Sequence, residues 1–274
     1  MCTDNMDATD GEAFGVGRRL ERARTAVRRE RRRTADEVQA LRRFERRVRG
    51  VEAESPGGDG HPAARGRLVA RDTDGLQAVR EAYRETVMAA PHYDEEYGDG
   101  YVESLTAEFS ADLAAALTDG TRFNARCKRS LLAGIEAGRT ARGELLQLLV
   151  EERESLSAAE ETLVPLSAEL SDLEDRAMGS APHGMLDAYR ARLAVLERKC
   201  ETVAEERQAT LFEQRRTSGL PCDAPDVPEY VYQGLPFAYP VMAAVAELSG
   251  AVGRLRETVD AAMDAGEPAR KHVE

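Results

Sequence analysis

The segment Ala90 to Gly100 gathers the side chains best suited to chemistry: His92, Asp94, Glu95, Glu96 and Asp99, with Tyr93 and Tyr97 among them. Carboxylates beside an imidazole suit a divalent cation, so a metal-dependent enzyme centred on residues 90–100 is one function open to the chain. The pattern is incomplete, however. No second His stands at helical i+4 spacing, and the ligand alternation of an EF-hand is missing. Asp, Gly and Pro also build ordinary connections between helices, which accounts for the same residues without a metal.

Aromatic residues form a second set. The chain has no Trp, 8 Tyr and 6 Phe. Tyr230, Tyr232, Phe237 and Tyr239 lie in the proline-rich stretch Thr217 to Tyr239, and Tyr83, Tyr93, Tyr97 and Tyr101 surround the acidic loop. Aromatics concentrated outside regular apolar seams need something to pack on. His92, Tyr93, Tyr97, Tyr230, Tyr232 and Tyr239 are therefore a candidate groove for a partner peptide. The plainer expectation is that the two loops close one end of a bundle.

Arginine forms the third set. Residues 18–49 hold 14 Arg against Glu21, Glu30, Asp36, Glu37 and Glu45, a local charge of +9 in a chain of net charge −12. A basic helix can contact nucleic-acid phosphates, with Arg28, Arg29, Arg31, Arg32 and Arg33 as the candidate contacts. The segment departs from a bZIP because its basic residues overlap a weak heptad seam instead of preceding a strong one. The plainer expectation is a solvated helix that pairs with acidic faces of its own body or of a second subunit.

Templates for catalysis are missing: the chain has no GxSxG, Walker A, HExxH, or GxGxxG after a strand. The four His, at 61, 92, 183 and 272, give a catalytic triad few possible bases. Cysteines at 2, 127, 200 and 222 form no CxxC pair and stand at no zinc-finger spacing from His, so neither bridges nor structural metal are expected. No enzyme activity and no cofactor are expected.

The elements that must carry these residues are helices. Alternating steps of four and three from Leu131 reach Ala177 through 14 positions, of which only Gly138, Arg142 and Glu152 are not apolar. Pro165 lies off this seam and is expected to kink the helix. Met178 to Gly184 reads as a stop and restart, after which Leu186, Tyr189, Leu193, Leu196, Cys200 and Val203 continue the spacing. Two seams joined by so short a turn imply an antiparallel coiled-coil hairpin over residues 124–216. A third seam runs Val241, Val245, Leu248, Val252, Leu255, Val259 and Ala262. Shorter helices are expected over Asp74–Ala89 and Tyr101–Thr118. No stretch sustains period-2 alternation, so the fold class is all-α: a helical bundle with a long antiparallel hairpin and essentially no sheet.

Organisation follows from composition. Residues 1–17 read as an acidic disordered start without a signal-peptide core, and 18–49 as the Arg-rich amphipathic helix. Residues 50–73 read as a Pro/Gly linker setting that helix apart as an arm, 74–264 as the helical body and 265–274 as a disordered tail. No span is long and apolar enough for a membrane, so a cytoplasmic protein is expected. Charged residues reach 32% and only Lys128, Lys199 and Lys271 are Lys. Acid excess with Arg in place of Lys suits a cytoplasm at molar salt, although a GC-rich genome produces the same bias.

The stretch Val79 to Asp99 (V-R-E-A-Y-R-E-T-V-M-A-A-P-H-Y-D-E-E-Y-G-D), the E-x-x-S-L run within Leu145 to Leu170, and Y-P-V-M-A at Tyr239 to Ala243 resemble an uncharacterised family of haloarchaeal helical coiled-coil proteins of unknown function. The resemblance covers Gly75 to Met263. It implies a halophilic archaeal cytoplasm and brings no activity, ligand or catalytic residue. The expected role is a non-enzymatic helical interaction or scaffold protein with a protein partner or self-association. A DNA-associated regulator acting through the Arg-rich helix is the alternative.

Overall fold

A computed structural model describes residues 15–54, 74–177, 183–217 and 226–266. The acidic start, most of the linker, the Met178 to Pro182 turn, the first prolines of the 217–239 stretch and the tail lie outside them, as do Cys2, Cys222, His61 and His272. The described residues form nine helices and no strand. They are α1 (Val16–Gly50), α2 (Asp74–Thr86), α3 (Tyr93–Glu96), α4 (Tyr101–Glu108), α5 (Ala111–Thr118), α6 (Ala125–Ala177), α7 (His183–Thr217), α8 (Val227–Val231) and α9 (Pro240–Gly266). The fold is an all-α helical bundle. One isolated parallel bridge, Glu54 to Asn124, is its nearest approach to sheet.

The chain divides into two units, and α1 and α6 contribute to both. The first takes the chain up to Arg28 and from Leu148 onward. Within it the part of α6 from Leu148 onward lies antiparallel to α7, with Glu152 paired to Arg207 and Glu169 to Arg192. The hairpin was expected from residue 124, but residues 125–147 of α6 belong to the second unit. Leu149, Leu156 and Leu163 of the α6 seam and Leu193 and Leu196 of the α7 seam are buried. Helix α6 stays helical through Pro165. Helix α9 lies antiparallel to α7, with Arg256 on Glu197 and Arg190 facing Asp260. Six of its seven seam residues are buried, and Ala262 is exposed.

The second unit is Arg29–Gln147. Its core joins Leu41, Phe44 and Val48 of α1 to Val79 and Tyr83 of α2, Leu105 of α4, Leu117 of α5, and Leu131 and Ile135 of α6. Phe44 and Tyr83 meet edge to face with centroids 5.2 Å apart, a favoured aromatic geometry. Helix ends are capped by long-range donors. Arg80 bonds the carbonyls of Leu117 and Thr118 at 2.8 and 2.7 Å, and the Lys128 ammonium bonds those of Arg49 and Val51 at 2.9 and 2.6 Å. Both place a cation at the negative end of a helix dipole.

Three expectations need correction. The single helix expected over Tyr101–Thr118 is two, because Phe109 leaves helical geometry (φ −126°, ψ 170°) and Ser110 caps α5. The break turns Phe109 inward against Gly134, where an added Cβ would stand 2.9 Å from the ring. Residues 93–96 and 227–231, expected in loops, form the short helices α3 and α8. Finally, α1 is not an arm apart from the body. Leu20 and Val27 are buried in the first unit, and Thr34, Leu41 and Val48 in the second.

Candidate functional site

In the second unit α1, α2, α3, α4 and α6 line a partly open cavity of about 180 Å³. Its polar wall is organised by Glu37, which α1 presents one turn before the buried Leu41. One Glu37 oxygen accepts the Arg142 Nε–H at 2.6 Å; the other accepts the Tyr97 hydroxyl at 2.9 Å and faces His92 Nε2 at 3.3 Å. Arg142 then grips Glu108 through two parallel bonds of 2.9 and 2.8 Å. The guanidinium thus lies between two carboxylates, the geometry in which Arg is strongest. Burial works against the charged form of Glu37, yet Arg142, Tyr97 and His92 outweigh it and hold the carboxyl below its ordinary value. Burial also opposes the charge of Arg142, and Glu108 and Glu37 overcome it, so that its pKa rises. Burial and the neighbouring Glu37 push Tyr97 up, keeping it a protonated donor.

Apolar contacts and tyrosines complete the wall. The Tyr83 hydroxyl shares a buried 2.8 Å hydrogen bond with Ser104, and Tyr93 is buried beside Ala40 and Ala90. The residues considered as metal ligands are dispersed: His92 faces Glu37, Glu96 pairs with Arg33, and Asp94 and Glu95 are exposed. Among the described residues no three of His, Cys, Asp and Glu converge as a metal site. Burial raises the thiol pKa of both Cys127 and Cys200, which makes each a poor nucleophile at neutral pH. Glu37, Arg142 and Glu108 are thus committed to one another, as a clamp on α1, α4 and α6.

A second polar cluster lies in the first unit, inside the hairpin. Arg207 makes two bonds to Glu152 at 2.9 and 2.8 Å and a third to Ser155 at 2.9 Å. Tyr232 donates to Glu152 at 2.5 Å. All three side chains are withdrawn from water, Glu152 at 0% exposure and Arg207 at 2%. Burial first, and then the Glu152 charge, push Tyr232 up. Tyr239 bonds Glu229 at 3.0 Å and Asp226 at 3.2 Å, and burial together with these two acids pushes it up to about 12. Of the candidate groove, therefore, His92, Tyr93 and Tyr97 belong to the second unit, and Tyr230, Tyr232 and Tyr239 to the first. Tyr97 and Tyr230 are the two exposed members.

The arginines of α1 divide by face. Arg28 pairs with Glu21 at 2.6 Å, Arg33 with Glu96, and Arg31 is half-buried. Arg29 and Arg32 are exposed, and no described residue pairs with either. The same holds for Arg42, Arg43 and Arg46, which the sequence reading did not single out. Their signal was present: the seven-residue spacing from Leu20 to Val48 fixes the buried stripe, and residues 29, 32, 36, 39, 43 and 46 step by three and four along the opposite side.

No described helix is long and apolar enough to cross a membrane. Neither the curated proteins nor the solved structures hold a match to the chain. Residues 18–256 match the model of a domain of unknown function, DUF7260, which takes in the arginine-rich helix, the hairpin and most of the last long helix, and the chain belongs to that family.

Proposed function

We propose that this is a non-enzymatic interaction protein whose working surface is the outer face of α1. The observation that carries the reading is how its charge is used. Arg142 spends its charge on Glu37 and Glu108, and Arg207 spends its charge on Glu152, both within the fold. Arg29, Arg32, Arg42, Arg43 and Arg46 are left exposed, and no described residue forms an ion pair with any of them. A general acid or base must be free to exchange its proton near neutrality, whereas Glu37 is held low and Arg142 and Tyr97 are pushed up, away from that range. Fold chemistry thus takes up the interior charges, and recognition is left to the surface.

We place the protein in the cytoplasm of a halophilic archaeon, on its acid excess and its preference for Arg over Lys. The test is a tagged full-length chain captured from a halophilic host at native salt, with co-eluting proteins scored by mass spectrometry and nucleic acid by absorbance. A reproducible macromolecular partner is expected. A chain that elutes alone, or that turns over a metabolite pool in a metal-dependent way, overturns the reading.

A further inference from the structure

We infer that the outer face of α1 in the second unit is a docking surface for the phosphate backbone of duplex DNA. This rests on the reading of that face as the working surface and names its partner. Arg29, Arg32, Arg43 and Arg46 recur at three- and four-residue steps on the side away from the buried Thr34, Leu41 and Val48, with Arg42 at the margin. From Arg29 to Arg46 the row extends about 26 Å along a single rigid helix. One acid, Asp36, and Gln39 interrupt it.

The chemistry of the row selects the partner. Protein interfaces have an apolar centre anchored by aromatic or Met side chains, with charge depleted there. None of the large hydrophobic side chains exposed among the described residues lies on α1, so an acidic protein would find charge and no anchor. A phosphate backbone needs no anchor, only guanidinium forks presented in series. Single strands are held by aromatic platforms, which this face lacks. Between duplexes, the major groove of B-form DNA admits an α-helix, whereas A-form RNA presents a groove too narrow for side-chain entry. The contacts are to phosphates, which carry no sequence information, so binding is insensitive to sequence.

The test measures a fluorescent 30-base-pair duplex of arbitrary sequence against the full chain by anisotropy. Salt is varied fourfold over a range in which far-UV circular dichroism shows the helices intact. Five phosphate contacts give a slope of log K on log salt of about −4.5, or roughly a 500-fold loss of affinity across that range. The variant Arg29→Gln/Arg32→Gln/Arg43→Gln/Arg46→Gln should flatten the slope to about −1. A control with the same charge change, Arg126→Gln/Arg129→Gln/Arg198→Gln/Arg254→Gln at other exposed positions, should retain the steep slope. Absent binding by the wild type, or equal binding by the row variant, overturns the inference. Capture of a polyglutamate probe with no capture of duplex also overturns it, while leaving α1 as the working surface with an acidic protein as partner. Binding of neither probe overturns both.

Discussion

At the residue scale, Arg142 is held between two carboxylates, Glu37 and Glu108. Removing the cation leaves Glu37 and Glu108 facing each other across a partly buried space, so Arg142→Met should destabilise the protein by about 2–4 kcal/mol in urea unfolding. The figure lies below that for a fully buried pair because these side chains retain 12–23% exposure. Glu37 adds a pH dependence of known sign. Its folded pKa is lowered from 4.5, so its contribution is complete above that value and is lost as pH falls through the lower folded value. The stability gap between wild type and Glu37→Gln should therefore be widest near neutrality and narrow toward pH 3. A gap that stays constant with pH contradicts the assignment. Part of this cluster was legible in the sequence. Gly138 and Arg142 stood out as breaks in the apolar spacing of α6, and the structure joins them: a Cβ at Gly138 would stand 2.6 Å from the Glu108 oxygen that Arg142 holds. Glu37 and Glu108 were not legible as partners, because 105 and 34 residues separate them from Arg142 and no local spacing records such a pairing.

At the element scale, the third break in that spacing, Glu152, is explained by the hairpin. Continuing the α7 steps beyond Val203 reaches Arg207, so two charged residues occupy facing seam positions and meet in the buried interior. A pair so placed holds the two helices in one register, since a slip by one turn would bury each charge against an uncharged seam residue. Arg207→Met alone should cost about 3–5 kcal/mol, because it strands a buried carboxylate. Glu152→Leu/Arg207→Met should recover most of that loss, and adding Tyr232→Phe should recover more by removing the orphaned hydroxyl. Additive single and double effects in a denaturation cycle would show that the pair is not coupled. The seams of α6, α7 and α9 were readable because burial recurs with the period of the helix. The α4–α5 break was missed because Val102, Leu105, Phe109, Leu113 and Leu117 keep helical spacing across it. Only Ser110, with Asp112 in the following turn, marks a new helix start there.

At the scale of the whole molecule, two helices, α1 and α6, run through both units, and their seams continue without a change of period. The division at Arg28 and again at Gln147 was therefore invisible to periodicity, which reports that a face is buried and not what buries it. The arginine-rich segment read as an arm for a related reason: charge dominates its composition, yet the apolar residues needed to bury one side recur every seven positions. On the other side stands a row of arginines left for recognition, exposed and without an ionic partner among the described residues. The measurement that tests this role most directly compares the variant Arg29→Gln/Arg32→Gln/Arg43→Gln/Arg46→Gln with wild type in two readouts, urea unfolding and partner capture at native salt. Exposed residues without partners should change stability by no more than about 0.5 kcal/mol, while capture is lost. A variant that loses several times that stability, or one that captures partners as well as wild type does, would contradict the account.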